Sequence, residues 1–581
     1  MRVLKILASV GVTAWFYVST ILPYSQKNTT ADLTPHSSKL FSYMYGIRDD
    51  SFCLAETCVD YWNDGKREIT FASRATKRVS MLSGADGRVI WNVPIEGESQ
   101  SMAAYDTDGD GTFEIFYSTS DPGKLHLLEP FTGKLLRSLE LGDIKLGNSP
   151  LIIDGDGKLD AYFGTRTKYL VRMNVADFSM VRRRPHWVQC GSYTSAIDVE
   201  KTGRWALFTG SGDDRIAKGV MHRYDPVTLE SIWTYPTNDN ASSASAVLID
   251  LDGDGRVDVL KSVDNLGKDD AHDAVYAFTT DGRVLWRVNG FSGEDSPNVA
   301  DLDGDGTLEI VGMTFGGEVY CLDAKGRVKW RRDLRPEFDN SAHAYMAPIL
   351  CDLNGERQLE VLAITNGGYF DEKSSKGHDG NGVLFALNSK GDILDRFDLG
   401  RRRYYNSAYV CNVDQDPYLE LVLAGSGGLD VIKTEGIGPN TEHFQRRRTY
   451  QRLEVLPWAY EDSYFIYRGK KEGVRNLTDN LILDRKGDAY KSSGKFTTEL
   501  LTLPPKCHFD RLQYAADLPE GTRLEVNILD QNAKAILKKA PKDTRLEIRQ
   551  PVVLEFVLST ANRQYTPKLD SYVLSFDRDR R

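Results

Sequence analysis

Short apolar runs recur along most of the chain, each bounded by turn residues. A representative stretch reads SPNVADLDGDG (296–306), LEIVGM (308–313), GEVYCLDA (317–324) and KGRVKWRRDL (325–334). Runs of five to seven residues rich in Val, Ile, Tyr and Leu and closed by Gly or Asp read as strands. The Asp-Gly or Lys-Gly pairs in DGRVIW (86–91), DGRVLW (281–286) and KGRVKW (325–330) suit two-residue hairpin turns, where positive φ is required. Four strands joined in sequence by such turns make one antiparallel unit.

The unit repeats. DTDGDGTFE (106–114), DLDGDGRVD (250–258) and DLDGDGTLE (301–309) are nearly identical. Decayed copies lie at DYWNDGKRE (60–68), IIDGDGKLD (152–160), DVEKTGRWA (198–206), DLNGERQLE (352–360) and NVDQDPYLE (412–420). Their last positions, 68, 114, 160, 206, 258, 309, 360 and 420, are spaced by 46, 46, 46, 52, 51, 51 and 60 residues. Such a period, with four strands in each copy, predicts an all-β, eight-bladed β-propeller over residues 50–450. Seven blades are the alternative, because the last copy has no GRV-x-W strand; a strand from 38–50 or from 450–468 would complete it. Beyond a connecting segment at 451–490, the alternating runs KFTTELLTL, RLQYAADL, RLEVNILD, PVVLEFVLST and KLDSYVLSFD predict a small β-sandwich over 491–581.

The three full acidic loops and the GRV-x-W hairpins resemble the FG-GAP/VCBS repeats of integrin-type propellers, over about residues 50–450. The tail resembles the jelly-roll-like modules appended to secreted bacterial propellers. The resemblance implies a calcium-binding propeller, a scaffold that serves both adhesion proteins and polysaccharide-degrading enzymes such as rhamnogalacturonan lyases. The dense histidine and arginine motifs expected of those lyases are missing. Quinone-cofactor propellers share the Gly-x-x-x-Trp hairpin, but the acidic loops argue against them.

The loops carry their own chemistry. Carboxylates at positions one, three, five and nine surround one turn, and glycines at four and six let the backbone curl. Hard oxygen ligands select Ca²⁺. The expected ligands are Asp106, Asp108, Asp110 and Glu114; Asp250, Asp252, Asp254 and Asp258; and Asp301, Asp303, Asp305 and Glu309. Weaker sets are Asp154, Asp156 and Asp160; Asp352, Asn354, Glu356 and Glu360; and Asn412, Asp414, Asp416 and Glu420. The copies at 60 and 198 carry Trp62 and Ala206 at ligand positions and read as empty. The ion's expected role is structural.

Composition narrows the class of function. The 581 residues carry 73 basic and 83 acidic side chains, a net charge of −10, which disfavours nucleic acid as a partner. A mean hydropathy of −0.41 with one long apolar run excludes a polytopic membrane protein. That run, Ile6 to Ile21 behind Arg2 and Lys5, reads as a signal peptide or a single-pass membrane anchor within 1–25, followed by a polar linker over 26–49. The expected location is secreted, periplasmic or cell-surface. Of seven cysteines, Cys53 and Cys58 are placed to pair after export, while Cys351 and Cys411 read as buried thiols on inner strands. Sequons occur at Asn28, Asn240 and Asn476.

No nucleophile, phosphate-loop or zinc-protease motif is present. His343 and Tyr345, before an inner strand, are the base and acid candidates for β-elimination from a uronic acid. Long loops at 265–274 and 367–382 suit binding. The triplets Arg182–Arg184, Arg401–Arg403 and Arg446–Arg448 either line an anion groove or are surface charge. The leading expectation is a non-catalytic binder of an extracellular protein or polysaccharide. A polysaccharide-active enzyme and a scaffold subunit of an envelope complex are the alternatives.

Overall fold

A computed structural model describes residues 38–435 and 459–578, apart from connecting positions of which the longest are 142–149, 186–193, 238–244, 264–272, 336–343 and 463–469. The segment 1–25 lies outside the described residues, as do Asn28 and Asn240. Among the described residues no helix is long and apolar enough to cross a membrane.

The described residues form an all-β molecule whose sheets have a propeller-like arrangement. Six sheets have four antiparallel strands each, paired mostly in chain order. One of them runs Asn298–Ala300, Glu309–Met313, Glu318–Asp323 and Val328–Asp333, matching the reading of that stretch. Inner strands are buried along their length, whereas fourth strands such as Ser231–Thr237 alternate between half-buried and exposed. This gradient fits units whose outer edges face water.

A further sheet holds seven strands and contains the seam of the chain. Its long strand Phe41–Val59 serves two units. Residues 53–59 pair with Glu68–Ser73, as the first strand of the first unit. Residues 41–48 pair with 428–434, as the fourth strand of the last unit. Strand Glu420–Thr434 runs back along itself: the Thr434 amide donates to the Leu419 carbonyl at 2.9 Å, as Val175 does to Leu159 in another unit. The missing strand of the last copy is therefore supplied from the N-terminal side. The linker reading of 26–49 is corrected accordingly, because Phe41 and Ile47 are buried there in a strand.

Fourth-strand tryptophans, three of them from GRV-x-W hairpins, join neighbouring units. Trp91 donates its indole N–H to the Pro130 carbonyl at 2.7 Å, Trp233 to Thr280 at 2.8 Å, Trp286 to Ala324 at 3.0 Å and Trp330 to Ser389 at 2.8 Å. Each indole lies on a turn glycine of the next unit: Gly133, Gly282, Gly326 and Gly391, all with φ between +70° and +91°. A Cβ at Gly133 would come within 2.6 Å of the Trp91 ring, so the turn and the close approach both need glycine. At the seam Tyr45 takes the place of tryptophan. Its ring covers Gly87 and its hydroxyl donates to the Gly84 carbonyl. Between the 151–185 and 195–237 sheets, arginines do the work: Arg172, Arg182 and Arg184 donate to the carbonyls of Val227, Thr228 and Leu229 at 2.9, 2.9 and 3.0 Å. Arg182 and Arg184 thus bind the neighbouring unit. Arg446–Arg448 lie outside the described residues.

The tail forms two facing sheets, one of six strands and one of five. Strand Val552–Thr560 alternates strictly between buried and half-buried positions, as a sheet with one face in a core requires. Phe496, Phe509, Val526, Phe556 and Leu574 fill the space between the sheets, and the buried cluster continues to Leu151 and Ile153. Strand Val474–Leu477 lies beside strand Leu151–Gly155, so the tail sits against the repeat region.

Candidate functional site

The acidic loops all connect a first strand to a second. Their geometry assigns the ninth residue a role that its reading as a ligand missed. One carboxylate oxygen of that residue accepts the backbone N–H of position two: Leu251 to Asp258 at 3.2 Å, Leu302 to Glu309 at 2.9 Å, Leu353 to Glu360 at 2.6 Å and Val413 to Glu420 at 2.8 Å. Thr107 and Glu114 repeat the bond at 2.8 Å, and so do Tyr61 and Glu68 at 3.2 Å, in a loop read as empty. These acids are buried. The ninth carboxyl therefore fixes the loop against its second strand by accepting that amide. Asp160 departs from the pattern and is held by Arg172 at 2.6 Å. The sequence did carry a signal: Glu68 persists where Trp62 has replaced a ligand.

Among the described residues, two loops converge enough oxygen to hold a cation. Carboxylate oxygens of Asp250, Asp252 and Asp254 lie within 4.8 Å of one another, as do those of Asp301, Asp303 and Glu309. In the first loop Asp250 Oδ1 accepts the amides of Gly253 and Asp254, at 2.9 and 3.1 Å, which bends the turn round the acids. Burial, reinforced by the three neighbouring carboxylates, pushes the Asp258 carboxyl up to about 6. Concentrated negative charge of this kind is relieved by a proton or by a hard cation. In the second loop Asp303 Oδ1 is buried with no hydrogen-bond partner, so the donor set has an oxygen to spare for an ion. Asp305 turns away to accept the Thr307 amide and hydroxyl at 2.8 and 2.6 Å. Both all-oxygen sets fit Ca²⁺ by donor chemistry.

The second loop also has a resident cation. Lys329 Nζ donates to Asp303 at 2.9 Å and to Glu309 at 2.8 Å. It comes from the fourth strand, some twenty residues downstream, and could not be placed from the loop motif. Burial opposes its charge, but the two carboxylates hold its pKa above the ordinary lysine value. In the 250–258 unit the equivalent position is Leu285, since Val284 and Val328 pair alike with Phe278 and Leu322. Lys329→Leu is therefore expected to tighten calcium at the 301–309 loop by about tenfold, the worth of about one charge-assisted hydrogen bond. Calorimetric titration of the variant beside the parent measures this. Identical isotherms would mean that Lys329 does not compete.

The remaining predicted positions are divided. Asp108 is exposed. Asp106, Asp110, Asp156, Asp352, Asn354, Glu356, Asn412 and Asp416 lie outside the described residues. The side chain of Asp154 is likewise not described, and Asp414 lies 3.7 Å from Lys433. Glu420 is buried with Oε1 lacking a hydrogen-bond partner, and burial pushes its carboxyl up to about 9. His343 and Tyr345 lie outside the described residues, as do 265–272 of one long loop and 367–369, 372–375 and 378–380 of the other. Ser211 Oγ lies 2.8 Å from a His222 ring nitrogen, but both are buried between paired strands. The expected Cys53–Cys58 pairing is corrected. Both residues sit on one strand, in register with Ser73 and Ile69. Five extended residues span about 16 Å, beyond the roughly 7 Å that a disulfide bridges between Cα atoms.

Residues 270–346 match the family model of the lambda-carrageenase beta-propeller domain, a stretch well under half of the chain. No curated protein matches the sequence. Among solved structures, the chain is similar to BamB from Moraxella catarrhalis, with 17% identity, 68% of this chain and 99% of that chain covered, and a TM-score of 0.46. It is also similar to the V. cholerae biofilm matrix protein Bap1, with 12% identity, 72% and 92% covered, and a TM-score of 0.49. The sheet arrangement and the family match together place a β-propeller domain in this chain.

Proposed function

We propose that the chain is an exported, eight-bladed propeller of FG-GAP/VCBS type, stabilised by calcium in its acidic loops, that binds an extracellular protein or polysaccharide without catalysis. The observation that carries this reading is the convergence of Asp250, Asp252 and Asp254 within 4.8 Å, with a leucine where the next loop has a lysine. An ion there ties the loop to its unit and stabilises only the folded form. The eight-unit count treats strand Phe41–Val59 as shared between the first and last units.

A second reading, a polysaccharide-active enzyme, is favoured by the lambda-carrageenase propeller match, which spans the 301–309 loop. A scaffold role in an envelope complex draws no support from a particular residue.

Calcium at a hundred times its dissociation constant should add about 2.7 kcal/mol per occupied site. Thermal unfolding of metal-stripped and calcium-loaded chain checks this, and coincident melting curves would overturn the calcium reading. The partner is tested by incubating calcium-loaded chain with lambda-carrageenan and a panel of acidic and neutral polysaccharides. Retention without new reducing ends or unsaturated products supports the binder. Product formation supports the enzyme.

A further inference from the structure

Two thiols meet at the seam of the ring. Cys58 lies in the first strand of the first unit, in register with Ile69, and Cys411 ends the inner strand Tyr409–Cys411 of the last unit, in register with Glu420. Both are buried, at 0% and 1% exposure. Their sulfurs are 3.1 Å apart, although 353 residues separate them along the chain. Only about 1 Å of approach is needed to reach the ~2.05 Å of an S–S bond. Cys53, the alternative partner, is too far along the same strand. The acidic loops use neither sulfur.

We propose that Cys58 and Cys411 form a disulfide that locks the first unit to the last. The seam is otherwise held by backbone pairing of residues 41–48 with 428–434 and by the Tyr45 contact over Gly87. A bond between the two inner strands makes that closure covalent. It encloses nearly the whole repeat region in one loop, the arrangement in which a cross-link restricts the unfolded chain most.

The chemistry is thiol–disulfide exchange with an oxidised donor of the glutathione or protein-dithiol class. One cysteine thiolate attacks the donor disulfide, forming a mixed disulfide and expelling one donor thiolate. The second cysteine thiolate then attacks the protein sulfur of that mixed disulfide and expels the other. One S–S bond forms and one breaks, the protein pair is oxidised, the donor is reduced, and the two thiol protons pass to the departing thiolates. Because both sulfurs are buried, exchange takes place while the seam is open, during folding or local opening. The pairing deepens the export reading, since such bonds persist in oxidising compartments. The test supplies its own oxidant, so its failure is separate from any failure of export.

The full chain is refolded with a reduced and oxidised glutathione couple, and in parallel with reductant alone. Each sample is denatured, alkylated without reduction, digested and mapped by mass spectrometry. A cross-linked peptide joining Cys58 and Cys411 is expected in the first sample and alkylated cysteines in the second. The linked chain should melt at least about 5 °C higher. Cys53→Ser should keep the link, and Cys411→Ser should abolish both the link and the redox dependence of melting. Two alkylated cysteines in the oxidised sample, a Cys53–Cys58 peptide, or redox-independent melting of the parent would overturn the proposal. Mapping the parent chain decides the pairing even where Cys411→Ser does not fold.

Discussion

Trp91→Ala is expected to cost about 3–5 kcal/mol of stability, as loss of a large buried aromatic side chain does. Trp91 is 4% exposed, and it joins two units rather than filling the core of one. Truncation removes the ring that lies over Gly133 and leaves the Pro130 carbonyl without the indole N–H that it accepts at 2.7 Å. A cavity and an unpaired acceptor therefore arise together at an interface that no strand ladder crosses, although the Phe113 amide donates to the Tyr61 carbonyl there at 3.1 Å. Gly133→Ala attacks the same contact from the other side. Its φ of +70° strains any Cβ, and that Cβ would meet the indole. The double variant should lose less than the sum of the single losses, because both remove one contact. Urea unfolding of the three chains measures all of this. A Trp91→Ala loss under about 1 kcal/mol would show that the units are held by their own cores alone.

The same contact explains what was legible in the sequence. Strands and acidic loops were readable because their chemistry is local. Alternation marks a half-buried strand, and closely spaced carboxylates mark a loop that needs an ion, a proton or a cation. DGRVLW does open the fourth strand of a hairpin, though the turn holds three residues, 280–282, rather than the expected two, and half of its meaning lies in the next unit, where Gly326 receives Trp286. Tyr45 performs that task at the seam from within a segment whose polar composition resembled a linker. Lys329 enters a loop from another strand, and Cys58 meets Cys411 across the ring. Neither partnership has a spacing that a one-dimensional reading can register. The ninth acid's bond to the backbone was missed as well, because the residue was read as a ligand, although Glu68 survives where Trp62 has replaced one.

Acid should weaken the fold through His126, and His126→Phe should remove that weakness. The imidazole is 4% exposed, stacks on Tyr117 with ring centroids 4.4 Å apart, and has no hydrogen-bond partner on either ring nitrogen. Burial, with help from Lys124, pulls its pKa down to about 4, against about 6.5 in an unfolded chain. Between those values the unfolded chain binds a proton that the folded chain refuses, so stability falls as pH falls. The full contribution is present above pH ~6.5 and is lost by pH ~4, about 3 kcal/mol in all. Asp258 acts in the opposite sense. Its raised pKa means that the folded chain takes up a proton first, and this part of the stability grows as pH falls below about 6. The buried Glu420 carboxyl, pushed up to about 9, acts in the same sense as Asp258, so the parent's pH profile mixes these groups, and the difference between variant and parent isolates the histidine. Phenylalanine keeps the stack on Tyr117 without a titrating nitrogen, so the variant should gain on the parent steadily from pH 6.5 to pH 4. Parallel denaturation midpoints across that range would mean that the folded chain charges the imidazole as readily as water does.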